Sequence, residues 1–245
     1  YRKLTMKISE MLRSELPEYS VTIPSIENKL SFRPFLVKEE KTLLLVAEEG
    51  NEIDVLRTIK NIIMSCYSDL DLNKISMGEA EYLFVKLREK SIGESLELIY
   101  THGIIKTPMN LDLRKIKIPK RTGNDQNTFN ITENISIKMR ELSMNDVIRE
   151  EIKVWTPDQD DYIKMIASMI DTITIKEECL SGTDLSIKDK VDFVESMTEK
   201  QFKELVKFAD GAPKLSHKMK VKIDTEEKTL EINGLNDFFG LVSPT

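Results

Sequence analysis

The sequence predicts an α+β protein of amphipathic helices and two or more β-hairpins. Three observations carry that expectation. Apolar residues recur at spacings of three and four in several segments that open on capping signatures, as helices do. Elsewhere they alternate in paired short runs around turn residues, as hairpins do. Finally, Ser76 to Leu113 and Thr198 to Ile232 each read capping box, helix, glycine break and hairpin, a repeated plan without repeated residues. The layout divides the chain into an N-terminal helical arm (1–20), a first α+β lobe (21–140) and a second (141–245). The alternative is one domain with its two hairpins side by side.

The elements follow in order. Residues 2–16 place Leu4, Ile8, Met11 and Leu12 on one stripe and end before Pro17. A helix this short and polar is unstable alone and must dock, either on its own domain or on a partner. The stretch from Thr22 to Glu49 organises what comes after it. Pro24 and Pro34 keep Ile23 and Arg33 extended, because proline disfavours a helical residue before it. Asn28-Lys29 reads as a turn, and Leu30 and Phe32 then alternate with Ser31 and Arg33. Phe35-Leu36-Val37 leads into a helix from Lys38 to Gly50, with Leu43, Leu44, Val46 and Ala47 as its apolar face.

Asn51 caps the next helix, which runs to about Cys66 and buries Val55, Leu56, Ile59, Ile62, Ile63 and the Cys66 thiol. Tyr67 to Ser76 reads as a polar connection. Ser76-Met77-Gly78-Glu79 is a capping box, and its helix carries Ala80, Leu83, Phe84 and Leu87 on one face before Gly93 breaks it. Leu96, Leu98 and Tyr100, then Met109, Leu111 and Leu113, form the first hairpin, with His102-Gly103 and Thr107-Pro108 in a longish loop between them. The basic cluster Arg114, Lys115, Lys117, Lys120 and Arg121 has no interleaved aromatics and reads as a solvated face or protein contact. Residues 122–128 form a loop, and Phe129–Ile131 and Ile135–Met139 are a strand pair.

Ser143 caps a helix to about Val154. Thr156-Pro157-Asp158 starts another, apolar around much of its surface from Tyr162 to Ile173 and therefore expected at the centre. Gly182 lies in a linker. A helix through Ile187, Val191, Val194 and Met197 precedes the capping box Thr198-Glu199-Lys200-Gln201, whose helix is stopped by Gly211 and Pro213. Met219, Val221 and Ile223, then Leu230 and Ile232, make the second hairpin, and Leu235, Phe238 and Phe239 an apolar tail.

Composition narrows the function classes. Apolar residues are 40% of the 245, enough for a core. A net charge of −6 and a pI near 5.3 argue against nucleic acid as a partner. No apolar run approaches the roughly 20 residues of a membrane helix. The N-terminus carries no apolar core with a cleavage site, and Tyr1 in place of Met is read as a trimmed start. Two cysteines make neither a disulfide framework nor a four-cysteine zinc site, which fits a reducing compartment. There is no G-x-S-x-G, P-loop or H-E-x-x-H, and the acidic pairs Glu39/Glu40, Glu48/Glu49, Asp160/Asp161 and Glu177/Glu178 read as solvated faces. No catalytic residue and no cofactor is expected.

Four blocks carry a resemblance: S-F-R-P-F-L-V-K-E-E-K-T-L-L-L-V-A-E at 31–48, E-Y-L-F-V-K-L-R-E-K-S-I-G-E-S-L-E-L at 81–98, A-P-K-L-S-H-K-M-K-V at 212–221 and G-L-N-D-F-F at 234–239. In this order they resemble the T4-type bacteriophage baseplate (central hub) protein family. Many relatives carry Cys-x-x-Cys-like pairs at the hairpins. Neither hairpin here contains cysteine, and His102 and His217 alone cannot complete a tetrahedral site, so no metal is expected.

The resemblance implies a non-enzymatic hub component of a contractile phage tail, made in the host cytoplasm and located in the virion baseplate. It would act through protein–protein contacts with other baseplate or hub proteins, with self-association as a second mode and no membrane or nucleic acid involved. Candidate partner contacts are Leu4 and Ile8 of the arm, Phe32, Arg33 and Pro34 of the strand, and Leu235 and Phe239 of the terminal group; Phe35 and Phe238 are read as core. The alternative is an assembly chaperone for the hub, absent from the mature virion. A small enzyme or metal-binding regulator is the third reading, and stoichiometric zinc would revive it.

Overall fold

The computed structural model describes residues 8–102, 105–123, 126–223 and 226–239, with side chains placed except at 8–10, 100–102, 105–106, 221–223 and 226. Leu4 therefore lies outside the described residues, as do parts of both hairpin tips. The arm contributes α1 (Ile8–Ser14). Strands β1 (Tyr19–Ile23) and β2 (Ile26–Phe32) pair antiparallel with Val21 opposite Leu30. The turn between them is Pro24-Ser25, not the expected Asn28-Lys29. A remote residue holds it: Ser25 donates its N–H and hydroxyl to the Glu79 carboxylate at 3.0 and 2.7 Å.

Helix α2 (Val37–Glu49) ends on left-handed Gly50 (φ 73°), which glycine adopts without a Cβ penalty. Asn51 caps α3 (Glu52–Cys66), accepting from the Ile53 and Asp54 N–H groups, and the expected stripe of α3 is buried. The connection from Tyr67 to Ser76 is less polar than it reads, for Leu70, Leu72 and Ile75 are buried and Tyr67 Oη donates to the Leu83 carbonyl at 2.8 Å.

The central element is α4 (Met77–Ser91), not the helix expected after Pro157. Its charged residues disguise it. Glu79, Glu81 and Glu89 are buried along with Ala80, Leu83, Phe84, Val85 and Leu87. Glu79 closes the capping box with Ser76 and holds Ser25, while Glu89 pairs with Lys86 and Lys90 at 2.7 and 2.8 Å. Gly78 is required where α4 begins, since a Cβ there would lie 2.2 Å from the Pro213 carbonyl oxygen.

Strands β3 (Ser95–His102) and β4 (Ile105–Asp112) form the first hairpin, with Leu96 opposite Leu111. The expected long loop is corrected, since Thr107 and Pro108 pair within β4 opposite Tyr100 and Ile99, and Leu113 lies past the strand in a helical turn. A four-stranded antiparallel sheet follows in the order β5 (Thr128–Asn130), β6 (Ile135–Met139), β7 (Ile170–Ile175) and β8 (Glu178–Ser181). Here the expectation of one helix to Ile173 fails. Helix α6 (Gln159–Ser168) stops, and the β-branched alternation Ile170-Asp-Thr-Ile-Thr-Ile175 pairs with β6, Ile137 opposite Ile173. Helix α5 (Met144–Arg149) is also shorter than expected, because Glu151 adopts φ 51°. The cap of α6 is Asp158, which accepts from the Asp161 N–H at 2.8 Å, rather than Thr156.

Helices α7 (Ile187–Glu195) and α8 (Glu199–Asp210) open on the capping boxes of Ser186 and Thr198. Strands β9 (Ser216–Ile223) and β10 (Glu226–Asn233) form the second hairpin, with Leu230 opposite Met219. The apolar tail is a helix, α9 (Gly234–Phe239), which returns to α4. There Phe239 meets Phe84 edge-on at 5.6 Å between ring centroids. Buried residues from both halves of the chain join one hydrophobic cluster. Among the described residues no helix is long and apolar enough to cross a membrane.

Candidate interaction surfaces

The block Phe32-Arg33-Pro34-Phe35 makes the elbow between β2 and α2. Phe32 is 3% exposed and stacks on Tyr67 at 4.8 Å, with Tyr19 on its flank at 5.7 Å. Arg33 forks onto Glu39 at 2.8 and 3.1 Å and also donates to the Pro34 carbonyl. Glu39 in turn accepts from the Leu36 N–H at 2.6 Å and the Ser65 hydroxyl at 3.0 Å. Burial works against the charge on Glu39, but Arg33 and these donors outweigh it and hold its carboxyl below the ordinary value. Burial also pushes the neighbouring Cys66 thiol up to about 11, so it remains a packed, unreactive thiol. The expectation that Phe32 and Arg33 reach outward is corrected here. The ring is spent on the core and the guanidinium on pinning the start of α2. Pro34 is half-buried.

What the elbow presents is the outer face of α2. Val37 is 82% exposed, and Leu44 and Leu45 are 56% and 53% exposed. With Lys41 and Glu48 they recur at four, three, one and three residues, which places them on one side of the helix. Only Leu43 of the triple leucine is buried, so the expected inward role of Leu44 is corrected as well. No single-sequence signal separates the three leucines. Their fates depend on α3, which packs beneath α2.

The terminal group divides in the same way. Leu235 is fully buried and donates its N–H to Glu81, so it too is core and not a free contact, while Phe239 is half-buried beneath the Arg88 guanidinium at 5.6 Å. Phe35 and Phe238 are buried, as read from the sequence. Ile8 lies in α1, whose exposed residues include Leu12 at 69%. Of the basic cluster, Arg114 pairs with Asp112 and Glu94, and Arg121 pairs with Glu141 at 2.7 Å and lies 3.8 Å over the Phe208 ring.

A cleft of about 400 Å³ opens where the start of α4, helix α6, the segment after α8 and helix α9 meet. Leu142, Met165 and Met169 give it apolar walls. Glu81 lines it and is 7% exposed; its Oε1 accepts one long bond, 3.3 Å from the Leu235 N–H. Burial pushes its carboxyl up to about 7. Glu141, Asp210 and Asp237 also line the cleft, against one cation, Lys214. Trp155, the chain's single tryptophan, is held there by Glu52, which accepts from its backbone N–H at 2.8 Å. Its indole Nε1 is buried with no acceptor among the described residues. The lining comes from segments far apart in the chain, so sequence patterning offered no signal for it.

Comparison with known proteins agrees with the resemblance. The family model described as T4 bacteriophage base plate protein matches residues 16–240, nearly the whole chain. No curated protein and no solved structure matches the chain significantly.

Proposed function

Because the chain belongs to the T4 bacteriophage base plate protein family, we propose that it is a non-enzymatic component of the central hub of a contractile tail. It sits in the virion tail baseplate and acts through contacts with other baseplate proteins. The observation that carries this reading is the outer face of α2, where Val37, Leu44 and Leu45 stand in water on a helix anchored from beneath by Arg33 and Glu39. Isolated apolar side chains on a surface are ordinary, but three on one helix face form a patch. Covering them with a neighbour contributes about 1 kcal/mol each, given that half or more of each side chain is still exposed. The rim residues Lys41 and Glu48 fix register.

The test is the solution mass of the purified chain, alone and mixed in turn with each of the other hub proteins of its phage. Stable co-migration with one of them supports the hub reading and identifies the neighbour. A monomer that ignores every hub protein overturns it. A stable dimer of the chain alone assigns the face to self-association instead.

A further inference from the structure

The cleft beside α4 holds two complementary demands that the fold leaves unmet. Glu81 is a carboxylate more than nine-tenths buried, with one long backbone hydrogen bond and no cationic partner among the described residues. Trp155 Nε1 is a buried donor without an acceptor. Each such group costs free energy until something meets it, and the two are not hydrogen-bonded to each other. The charges around them favour a cation, with Glu81, Asp210 and Asp237 lining the cleft against Lys214, while Glu141 is already paired with Arg121. The walls favour an aliphatic stem, through Leu142, Met165 and Met169.

We propose that this cleft binds a lysine of a partner protein, its ammonium received by Glu81 and a backbone carbonyl of the same extended segment accepting from Trp155 Nε1. Lysine fits better than arginine. Oε1 of Glu81 already accepts from Leu235, which leaves a point acceptor rather than the open carboxylate that a guanidinium fork engages. A divalent metal fits worse, since no group of three or more His, Cys, Asp or Glu among the described residues could hold one. The inference rests on the chain working by binding partners, and it adds the chemistry of one contact.

The single tryptophan reports the site directly. The full chain is titrated at about pH 8, where Glu81 is ionised, with acetyl-Ala-Lys-Ala-amide while Trp155 fluorescence is followed. A saturable change is expected. The norleucine peptide, which keeps the aliphatic stem but lacks the ammonium, should bind about tenfold more weakly or worse, and Glu81→Gln should weaken the lysine peptide about as much, the loss typical of a desolvated charge contact. No saturable change, equal binding of the two peptides, or an unaltered Glu81→Gln chain each overturns the proposal. If Glu81→Gln fails to fold, the exposed Asp237→Asn replaces it, with a loss of about threefold expected and no loss counting against the proposal. n-Butylammonium binding as tightly as the peptide would overturn the role of Trp155 and leave a free amine as the ligand. Co-migration with hub proteins is scored separately. A chain that co-migrates but binds no lysine peptide overturns this inference alone, and the reverse pattern overturns the hub reading alone.

Discussion

Replacing Glu81 by glutamine removes a buried charge while keeping the side-chain shape and an acceptor for the Leu235 N–H. The consequence depends on pH in a calculable way. Burial raises the carboxyl from the ordinary 4.5 to about 7. The folded chain therefore holds a proton that the unfolded chain has released, over the interval between those values. Stability from this group is fully present below 4.5 and is lost as pH rises through about 7. At about 1.4 kcal/mol per pH unit, that separation is worth on the order of 3 kcal/mol. Glutamine does not titrate. The variant should match the parent at about pH 4, where Glu81 is largely protonated in both the folded and the unfolded chain, and be more stable by on the order of 3 kcal/mol at about pH 8.

Urea unfolding of both chains at the two pH values measures this. Other groups that titrate in the interval, including His217, whose value burial and then Lys115 depress, cancel in the comparison. A gap between the two chains that does not widen with pH would refute the assignment of Glu81 as a buried carboxylate without a cation.

Four further outcomes follow. Gly78→Ala drives a methyl into the Pro213 carbonyl and should cost about 1–3 kcal/mol, seen as a lower urea midpoint at unchanged slope. Asp146 is buried between Arg140 at 2.6 Å and Arg149 at 2.8 Å; burial opposes its charge, but these partners and Ser143 outweigh that and hold its value below 3.8. Asp146→Asn should thus cost about 3 kcal/mol near neutrality, and the deficit should shrink only as pH falls below 3.8 through the depressed folded value. The double change Leu44→Asp with Leu45→Asp should cost about 2 kcal/mol, from the half-buried surface and the poorer helix propensity, and leave the chain folded yet abolish co-migration with a hub partner, so loss of the fold would show that the leucines serve the core. A thiol reagent should label exposed Cys179 in the native chain and reach buried Cys66 only after unfolding, which mass spectrometry of the peptides resolves.

Local chemistry was the legible part of this sequence. Asn51, Ser76, Ser143 and Thr198 mark helix starts because the side chain that meets the free N–H groups lies within three residues of them. Both hairpins were legible because alternation and turn residues are adjacent. What failed depends on distant partners. The Pro24-Ser25 turn needs Glu79, and the strand after Ser168 needs the open edge of β6. The centrality of α4 is hidden because buried Glu79 and Glu81 look solvent-facing until Ser25 and Leu235 are brought to them. The candidate contacts suffered from the same gap. Phe32 and Leu235 are apolar in sequence whether they face a neighbour or the core, and only packing separates them from Val37 and Leu45.

The return of α9 to α4 bears on how the protein is made. Phe84 and Glu81 lie in the first half of the chain, yet the residues that cover them are made much later, Leu235 following Glu81 by 154 residues. Until then the flank of the central helix that carries Phe84 is uncovered, and that flank is open to association with other nascent chains. The synthesis of α9 thus acts as a checkpoint. A chain cut short before Gly234 exposes α4, so such products should be sticky and drawn to chaperones, while chains that include α9 seal themselves.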